Sequence, residues 1–246
     1  MNKILFCLPT LYKDSRKQLI HDNIDRLIKQ CEIGNIEFRI QLIINEQKES
    51  FENAEFNDKR VEKKVSDNQY HISRALNKCL IDLNEDEYFC FMQDDFTIFD
   101  DNWIKKCIGA YEDESLNAGV IGARKHSTGN KYCFYVGEKS GIILEKVLWS
   151  DGIMFFSHKI YKEVGLFDET YRVDRESQDY CYSAMKKGYT NYCILNKPQL
   201  MWDQLSEAFT NKSEQGDIDH FMKLKDISER YFVSKWADWE NQKIAE

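Results

Sequence analysis

Ile4-Leu5-Phe6-Cys7-Leu8 is an unbroken apolar run closed by Pro9. A strand with one wet face alternates apolar and polar positions, so an unbroken run fits a strand buried on both faces, as in a parallel sheet. Ser15 is placed to cap a helix on which Leu19, Ile20, Ile24, Leu27 and Ile28 form one stripe. Phe38 to Ile44 predicts the next strand, and the polar residues 46–60 a surface connection. Tyr70 to Leu83 has helical spacing at Ile72, Ala75, Leu76, Cys79 and Leu80, and Tyr88 to Met92 is a third buried strand. Asn102, just ahead of Trp103, is placed to cap another helix. Ala118 to Ala123 predicts a strand, and the aromatic and β-branched residues of 131–157 predict more, including Gly152 to Phe156. Glu176 to Lys187 predicts a helix ended by Gly188, and Tyr192 to Leu195 the last core strand. Strands alternating with helices predict an α/β fold, a mostly parallel sheet flanked by helices.

From about residue 206 the pattern changes. Ile218, Phe221, Met222, Lys225, Ile227, Tyr231, Phe232, Trp236 and Trp239 recur at loosely helical spacing among charges. One or two amphipathic helices packed on the body are expected, with a dimer contact or a membrane-surface contact as alternatives. The organisation expected is a domain over 1–205 and a helical C-terminal extension over 206–246.

Composition narrows the function classes. At 246 residues with 42% hydrophobic positions, the chain can bury a sizeable core and is not disordered. A net charge of −8 argues against a nucleic-acid partner. It also means that an anionic substrate needs help against the field, which a bound cation supplies. The eight cysteines form no C-x-x-C pair and no Cys/His cluster with zinc spacing, so they fit small buried hydrophobes in a reducing compartment. No segment is long and apolar enough to span a membrane, and the first apolar stretch is too short for the core of a signal peptide. A cytoplasmic protein is expected, with peripheral membrane contact left open. No glycine-rich dinucleotide fingerprint follows the first strand, and neither a P-loop nor a G-x-S-x-G elbow is present.

Three constellations carry candidate chemistry. Asp94 and Asp95 directly follow the buried strand Tyr88 to Met92. In open α/β sheets ligands sit at the carboxyl ends of strands. Adjacent carboxylates repel, and hard oxygen donors suit Mg²⁺ or Mn²⁺, which in turn bind diphosphate oxygens; taken alone, the pair also fits a solvated acidic turn. Glu176 and Asp179 open a predicted helix, where acids are ordinary caps but also candidate general bases. Asp67-Asn68 and Ser73-Arg74-Ala75-Leu76-Asn77 flank another helix start, as caps or as the lining of a nucleotide pocket.

Taken in order, these pieces resemble glycosyltransferase family 2 and its relatives with the GT-A fold, over roughly residues 3–205. Leu8-Pro9-Thr10-Leu11-Tyr12 is similar to the family's opening strand and turn, and Ile43-Ile44-Asn45-Glu46 to the acid that ends its second strand. Asn68 with Ala75-Leu76-Asn77 resembles its early Asn and later Ala-x-Asn. Gln93-Asp94-Asp95, followed by Asp101-Asn102-Trp103, is similar to its metal motif and trailing Trp. Gly152-Ile153-Met154-Phe155-Phe156, Val164-Gly165-Leu166-Phe167-Asp168-Glu169, Glu176-Ser177-Gln178-Asp179 and Lys187-Gly188-Tyr189 follow in the family's order.

The resemblance implies a Rossmann-like GT-A domain that moves a sugar from a nucleoside-diphosphate sugar to an acceptor hydroxyl, with inversion, in glycan biosynthesis. It implies that Pro9, Thr10 and Glu46 flank the base and Asn68 lines the nucleotide pocket. Asp94 lies near the ribose or the metal, and Asp95 ligates a divalent cation, Mn²⁺ or Mg²⁺. The acceptor is expected to be a glycan or a lipid-linked group. Three departures stand out. Gln93 replaces an acid at the head of the metal motif. Ser177 occupies the usual column of the base, so Glu176 or Asp179 is expected to take over. Where the family often has a metal-reaching His after the last core strand, Asp203 is the expected substitute. Two other functions fit parts of the pattern: a nucleotidyltransferase of related α/β design, and a non-catalytic nucleotide- or sugar-binding module.

Overall fold

The computed structural model describes residues 2–10, 17–44, 55–66, 71–94, 96–124, 134–139, 142–194, 201–203 and 215–245. The backbone alone is described at 124, 134–139, 142–143, 151, 201–203, 215–218 and 240–245. The first half alternates strand and helix: β1 (Lys3–Thr10), α1 (Lys17–Gly34), β2 (Glu37–Ile44), β3 (Val61–Val65), α2 (Ile72–Leu80) and β4 (Glu87–Met92). Short β5 (Phe96–Ile98), α3 (Trp103–Glu112) and β6 (Ala118–Arg124) follow. Then come the antiparallel β7 (Phe134–Lys139), β8 (Ile142–Val147) and β9 (Asp151–Ser157). The chain continues through α4 (His158–Val164), α5 (Glu176–Lys186), β10 (Thr190–Ile194), β11 (Met201–Asp203) and α6 (Gln215–Ala245).

Among the described residues nine strands form one sheet in the order β3-β2-β1-β4-β9-β6-β10-β8-β7. Only β8 and β9 run against the rest. This is the mixed α/β sheet that the apolar runs predict. The unbroken run of β1 is explained by the two sides it serves. Ile4, Phe6 and Leu8 point into a core shared with Ile24 and Leu27 of α1 and with Trp103 and Ile104 of α3. Leu5 and Cys7 point the other way, toward Ala75 and Leu76 of α2, Ile160 of α4 and Tyr180 of α5. Side chains alternate across a strand, so a strand covered by helices on both faces has no position left for a polar residue. The seven described cysteines are buried free thiols, and burial pushes the Cys31 thiol up to about 12.

Several elements exceed the expectation. β3 reads Val-Glu-Lys-Lys-Val and pairs in parallel with β2 at the sheet's edge, where charged side chains are tolerated. β5 and β11 form a separate two-stranded ribbon. Asn102 makes no side-chain cap on α3; its backbone N–H instead donates to Asp100 Oδ1 at 2.9 Å. Residues 46–54 of the expected surface connection lie outside the described residues.

The amphipathic C-terminal stretch is one helix over Gln215–Ala245. Its Phe232 and Trp236 are buried against Tyr171 and Tyr182, a third apolar cluster beside the two that sandwich the sheet. Lys235 and Tyr231 of α6 both donate to Asp168 Oδ2 at 2.9 Å. Burial pushes the Asp168 carboxyl up, but donors on Lys235, Thr170 and Tyr231 outweigh it and hold the carboxyl down at about 2. A carboxyl lowered from 3.8 in this way stabilises the fold above its unfolded value, and that stabilisation is lost as pH falls through about 2. We expect Asp168→Asn to remove on the order of 2 kcal/mol at pH 6 and far less near pH 2. Urea unfolding of both proteins at the two pH values checks this; equal differences at both would refute it.

Candidate active site

The chain leaves β1 to build β2 and β3 on one side and returns to place β4 on the other. That reversal opens a crevice at the carboxyl ends of β1 and β4, the usual ligand position in an open α/β sheet. The register places particular residues there. β1 and β4 pair in parallel as far as Cys7 with Phe91, so three residues further on Thr10 comes level with Asp94. Thr10 Oγ1 donates to Asp94 Oδ2 at 2.5 Å. Pro9, Thr10 and Asp94 are thus brought together at the crevice, as the sequence implies. Asp94 is only 6% exposed.

A second element holds the same acid. Asn23 Nδ2 of α1 donates to the backbone carbonyl of Asp94 at 2.8 Å, and Asn23 Oδ1 accepts from Thr97 Oγ1 at 2.7 Å. Gln30, two turns on, donates to the Ile98 carbonyl at 2.8 Å and accepts from Trp103 Nε1 at 2.9 Å. α1 therefore grips the whole passage from β4 through β5 to α3 with two buried amides. The sequence contains their signal: Asn23 and Gln30 fall on the apolar stripe of α1, where a polar side chain needs a partner.

Polar atoms without a protein partner gather at the same edge. Among the described residues these include Gln93 Oε1, just before Asp94, and Ser66 Oγ, His71 Nδ1 and Ser73 Oγ. Ser66 N–H donates to the Ile44 carbonyl at 2.9 Å, which carries the β2–β3 pairing past Val65 to the carboxyl edge. Ser73 lies in the first turn of α2, and His71 directly precedes that helix. Burial and then the charges of Arg74 and Arg172 lower the His71 pKa. Buried polar atoms cost free energy unless something satisfies them, and these four lack a partner among the described residues. Asn77 does not belong to that group: its amide accepts from Phe167 N–H at 2.8 Å and donates to the Phe167 carbonyl at 2.9 Å, clipping α2 to residues 165–169.

The second half brings its acids to the same edge. α5 leads through Gly188, at φ 92°, into β10, so its start lies toward the carboxyl ends of β6 and β10. Ile72 N–H, at the start of α2, donates to the Arg172 carbonyl at 2.7 Å and ties the approach to α5 to the crevice side. There Glu176 is buried and accepts from Ser177 Oγ at 3.1 Å. Asp179 is held differently. Its Oδ1 accepts from Trp236 Nε1 at 2.6 Å and Tyr171 OH at 3.1 Å, and it pairs with Lys235 Nζ at 2.8 Å. Burial works against the Lys235 charge, but Asp179 and Asp168 outweigh it and raise the ammonium's pKa.

The backbone of Asp203 pairs with Phe96, so β11 returns Asp203 to within two residues of Asp94 across the ribbon. Its side chain, and all of Glu46, Asn68 and Asp95, lie outside the described residues. Among the described residues no three His, Cys, Asp or Glu side chains form a cage that would hold a metal by themselves.

No protein-family model and no curated protein matches the chain in sequence. Solved structures do match in shape. The catalytic domain of Drosophila β1,4-galactosyltransferase 7, in complex with xylobiose, aligns over 88% of this chain and 78% of its own at 12% identity and TM-score 0.55. The mannosyltransferase PcManGT of Pyrobaculum calidifontis, in complex with GDP-Man and Mn²⁺, aligns over 99% and 73% at 10% identity and TM-score 0.56. Residues 1–349 of TarS from S. aureus align over 95% and 72% at 13% identity and TM-score 0.51. The fold is that of the GT-A glycosyltransferases.

The Thr10–Asp94 bond gives a direct test of the crevice. Thr10→Val keeps the shape and removes the donor, and we expect it to lower stability by about 1–3 kcal/mol. Thr10→Ser is expected to retain most of the wild-type stability. Denaturant midpoints decide between them, and a Val variant as stable as the Ser variant would contradict the assignment.

Proposed function

We propose that this protein is a metal-dependent inverting glycosyltransferase, which transfers a sugar from a nucleoside-diphosphate sugar to an acceptor hydroxyl in glycan biosynthesis. The observation that carries the proposal is the Thr10–Asp94 pair at the switch point of a GT-A sheet, with the acidic start of α5 at the same edge. Two of the structural relatives support the donor and metal classes: the mannosyltransferase is bound to GDP-Man and Mn²⁺, and a variant of the Drosophila enzyme to manganese, UDP-Gal and xylobiose.

Pro9 and Thr10 flank the nucleoside base with Glu46, and Asn68, Ser66 and His71 line the pocket beside it. Asp94 serves the ribose and the metal. The donor set fits a hard cation: Asp94, Asp95 and Asp203 offer carboxylate oxygens, and Gln93 Oε1 is a buried oxygen that lacks a described partner. When bound, a divalent cation supplies positive charge against the diphosphate leaving group. Glu176 is the general base that takes the proton of the acceptor hydroxyl. Asp179 is the weaker candidate, because an indole N–H, a phenol O–H and an ammonium already converge on one of its oxygens. The acceptor is a glycan or a lipid-linked group. No helix among the described residues is long and apolar enough to cross a membrane. Buried free thiols fit a reducing, cytoplasmic setting.

Binding to the native state raises stability, so a thermal-shift screen of nucleoside diphosphates identifies the donor nucleotide. One nucleotide is expected to raise the Tm with Mn²⁺ present and much less without it, and Asp95→Ala is expected to abolish the difference. Turnover of the matching nucleotide-sugar is expected to fall by about 10²–10⁴-fold in Glu176→Gln. A protein that binds no nucleoside diphosphate and turns over no nucleotide-sugar with Mn²⁺ or Mg²⁺ would sink the proposal.

A further inference from the structure

Arg175, the residue that leads into α5, has φ 73° and ψ −8°. Apart from Asn35 and Asn117, it is the one described non-glycine residue with positive φ. Asparagine tolerates the left-handed region through local hydrogen bonds, whereas a long side chain persists there only when its surroundings impose it. The surroundings here are partly local, since Arg175 N–H donates to Asp174 Oδ1 at 2.9 Å and Nη1 to Gln178 Oε1 at 2.5 Å, and partly come from α6. Arg175 Nε donates to Glu229 Oε2 at 2.5 Å, and the guanidinium lies over the Phe232 ring at 5.2 Å. The same helix meets the flanking residues on both sides: Ser228 Oγ accepts from Arg172 N–H at 3.3 Å, Lys225 pairs with Asp174 at 3.3 Å, and Lys235 and Trp236 hold Asp179. These contacts come from one face of α6, at successive turns from 225 to 236.

We propose that α6 is a positioning clamp for the proposed base: through Glu229 and Phe232 it fixes Arg175 in the left-handed conformation that sets how the chain enters α5, and hence where Glu176 stands. Arg175 and Glu229 are positioning residues and touch no substrate. The inference rests on the reading of Glu176 as the base.

The test uses donor hydrolysis, with water as acceptor, in the presence of Mn²⁺ and the nucleotide-sugar chosen by the thermal-shift screen. Glu229→Gln keeps the side-chain shape and removes the charge that holds Arg175. Arg175→Gly accepts a positive φ without strain, so the variant folds, but it gives α6 nothing to grip. Each is expected to lower kcat about tenfold and to leave KM for the donor within about twofold. In a Glu176→Gln background neither substitution is expected to lower kcat further, because there is no base left to misplace. The same loss in both backgrounds, or KM rising in step with the fall in kcat, shows a general structural brace and overturns the clamp. Wild-type kcat in both variants overturns it as well, even if their Tm falls. Wild-type turnover that survives Glu176→Gln overturns the assignment of the base, and the clamp with it. Turnover lost in Glu176→Gln but untouched by Glu229→Gln and Arg175→Gly overturns the clamp alone.

Discussion

A carboxylate at the end of a core strand, almost out of reach of water, is the constraint around which this end of the molecule is arranged. An ionised carboxylate loses several kcal/mol of hydration on burial, so it persists only where donors or a cation meet it. Asp94 meets Thr10 through its side chain and Asn23 through its carbonyl. Those two residues come from β1 and α1, and Asn23 is in turn fixed by Thr97 of β5. The placement of one acid is therefore written into the strand register, the buried stripe of a helix and the turn that follows β4. The crevice is tied to the core, because β1 and β4 are anchored by apolar side chains on both faces of the sheet and α1 and β5 on one.

The acidic start of α5 is held by a different device. Three carboxylates within six residues repel one another, and the helix dipole offsets only part of that. α6 supplies the rest: Lys225 faces Asp174, Lys235 faces Asp179, and Glu229 engages the guanidinium between them. Glu176 is the acid of the three that meets a hydroxyl, from Ser177, within its own helix. A left-handed non-glycine residue costs roughly 1–2 kcal/mol, a sum that the ion pairs and ring contacts around Arg175 are large enough to cover. The aromatic cluster of Tyr171, Tyr182, Phe232 and Trp236 sits directly beneath, so the clamp is backed by apolar packing and does not depend on surface charge alone.

Much of this was legible in the sequence, and the rest was hidden for physical reasons. Buried parallel strands announce themselves as apolar runs, unbroken at the centre of β1 and β4 and interrupted by Arg39 and Gln41 in β2, which is why these three stand out. β3 escapes because an edge strand needs only alternate burial and tolerates Glu62, Lys63 and Lys64. Thr10 and Asp94 were expected at one site from the family resemblance, but the hydrogen bond between them depends on register, which spacing along the chain does not contain. Asn23 and Gln30 were visible as amides on an apolar stripe, yet their targets, some seventy residues away, were not. Glu176 and Asp179 look equivalent in sequence. They differ because Tyr171 and a helix about sixty residues later fill the space around Asp179.

The departure at position 177 ties these observations together. In the resemblance to family 2, the column of the base falls on Ser177, and the proposed base stands one residue earlier. A step of one residue along an α-helix turns a side chain by about 100°. An acid moved from one position to the next therefore faces the same pocket only if the chain enters the helix along a different path. A left-handed residue immediately before the first helical position sets that path, and Arg175 is such a residue. It is not a glycine that adopts the conformation freely but an arginine held by Asp174 and Gln178 beside it and by Glu229 and Phe232 of α6. On the proposed reading of Glu176 as the base, the substitution in the acidic motif, the left-handed residue beside it and the long C-terminal helix are parts of one arrangement, in which the helix helps to orient the base.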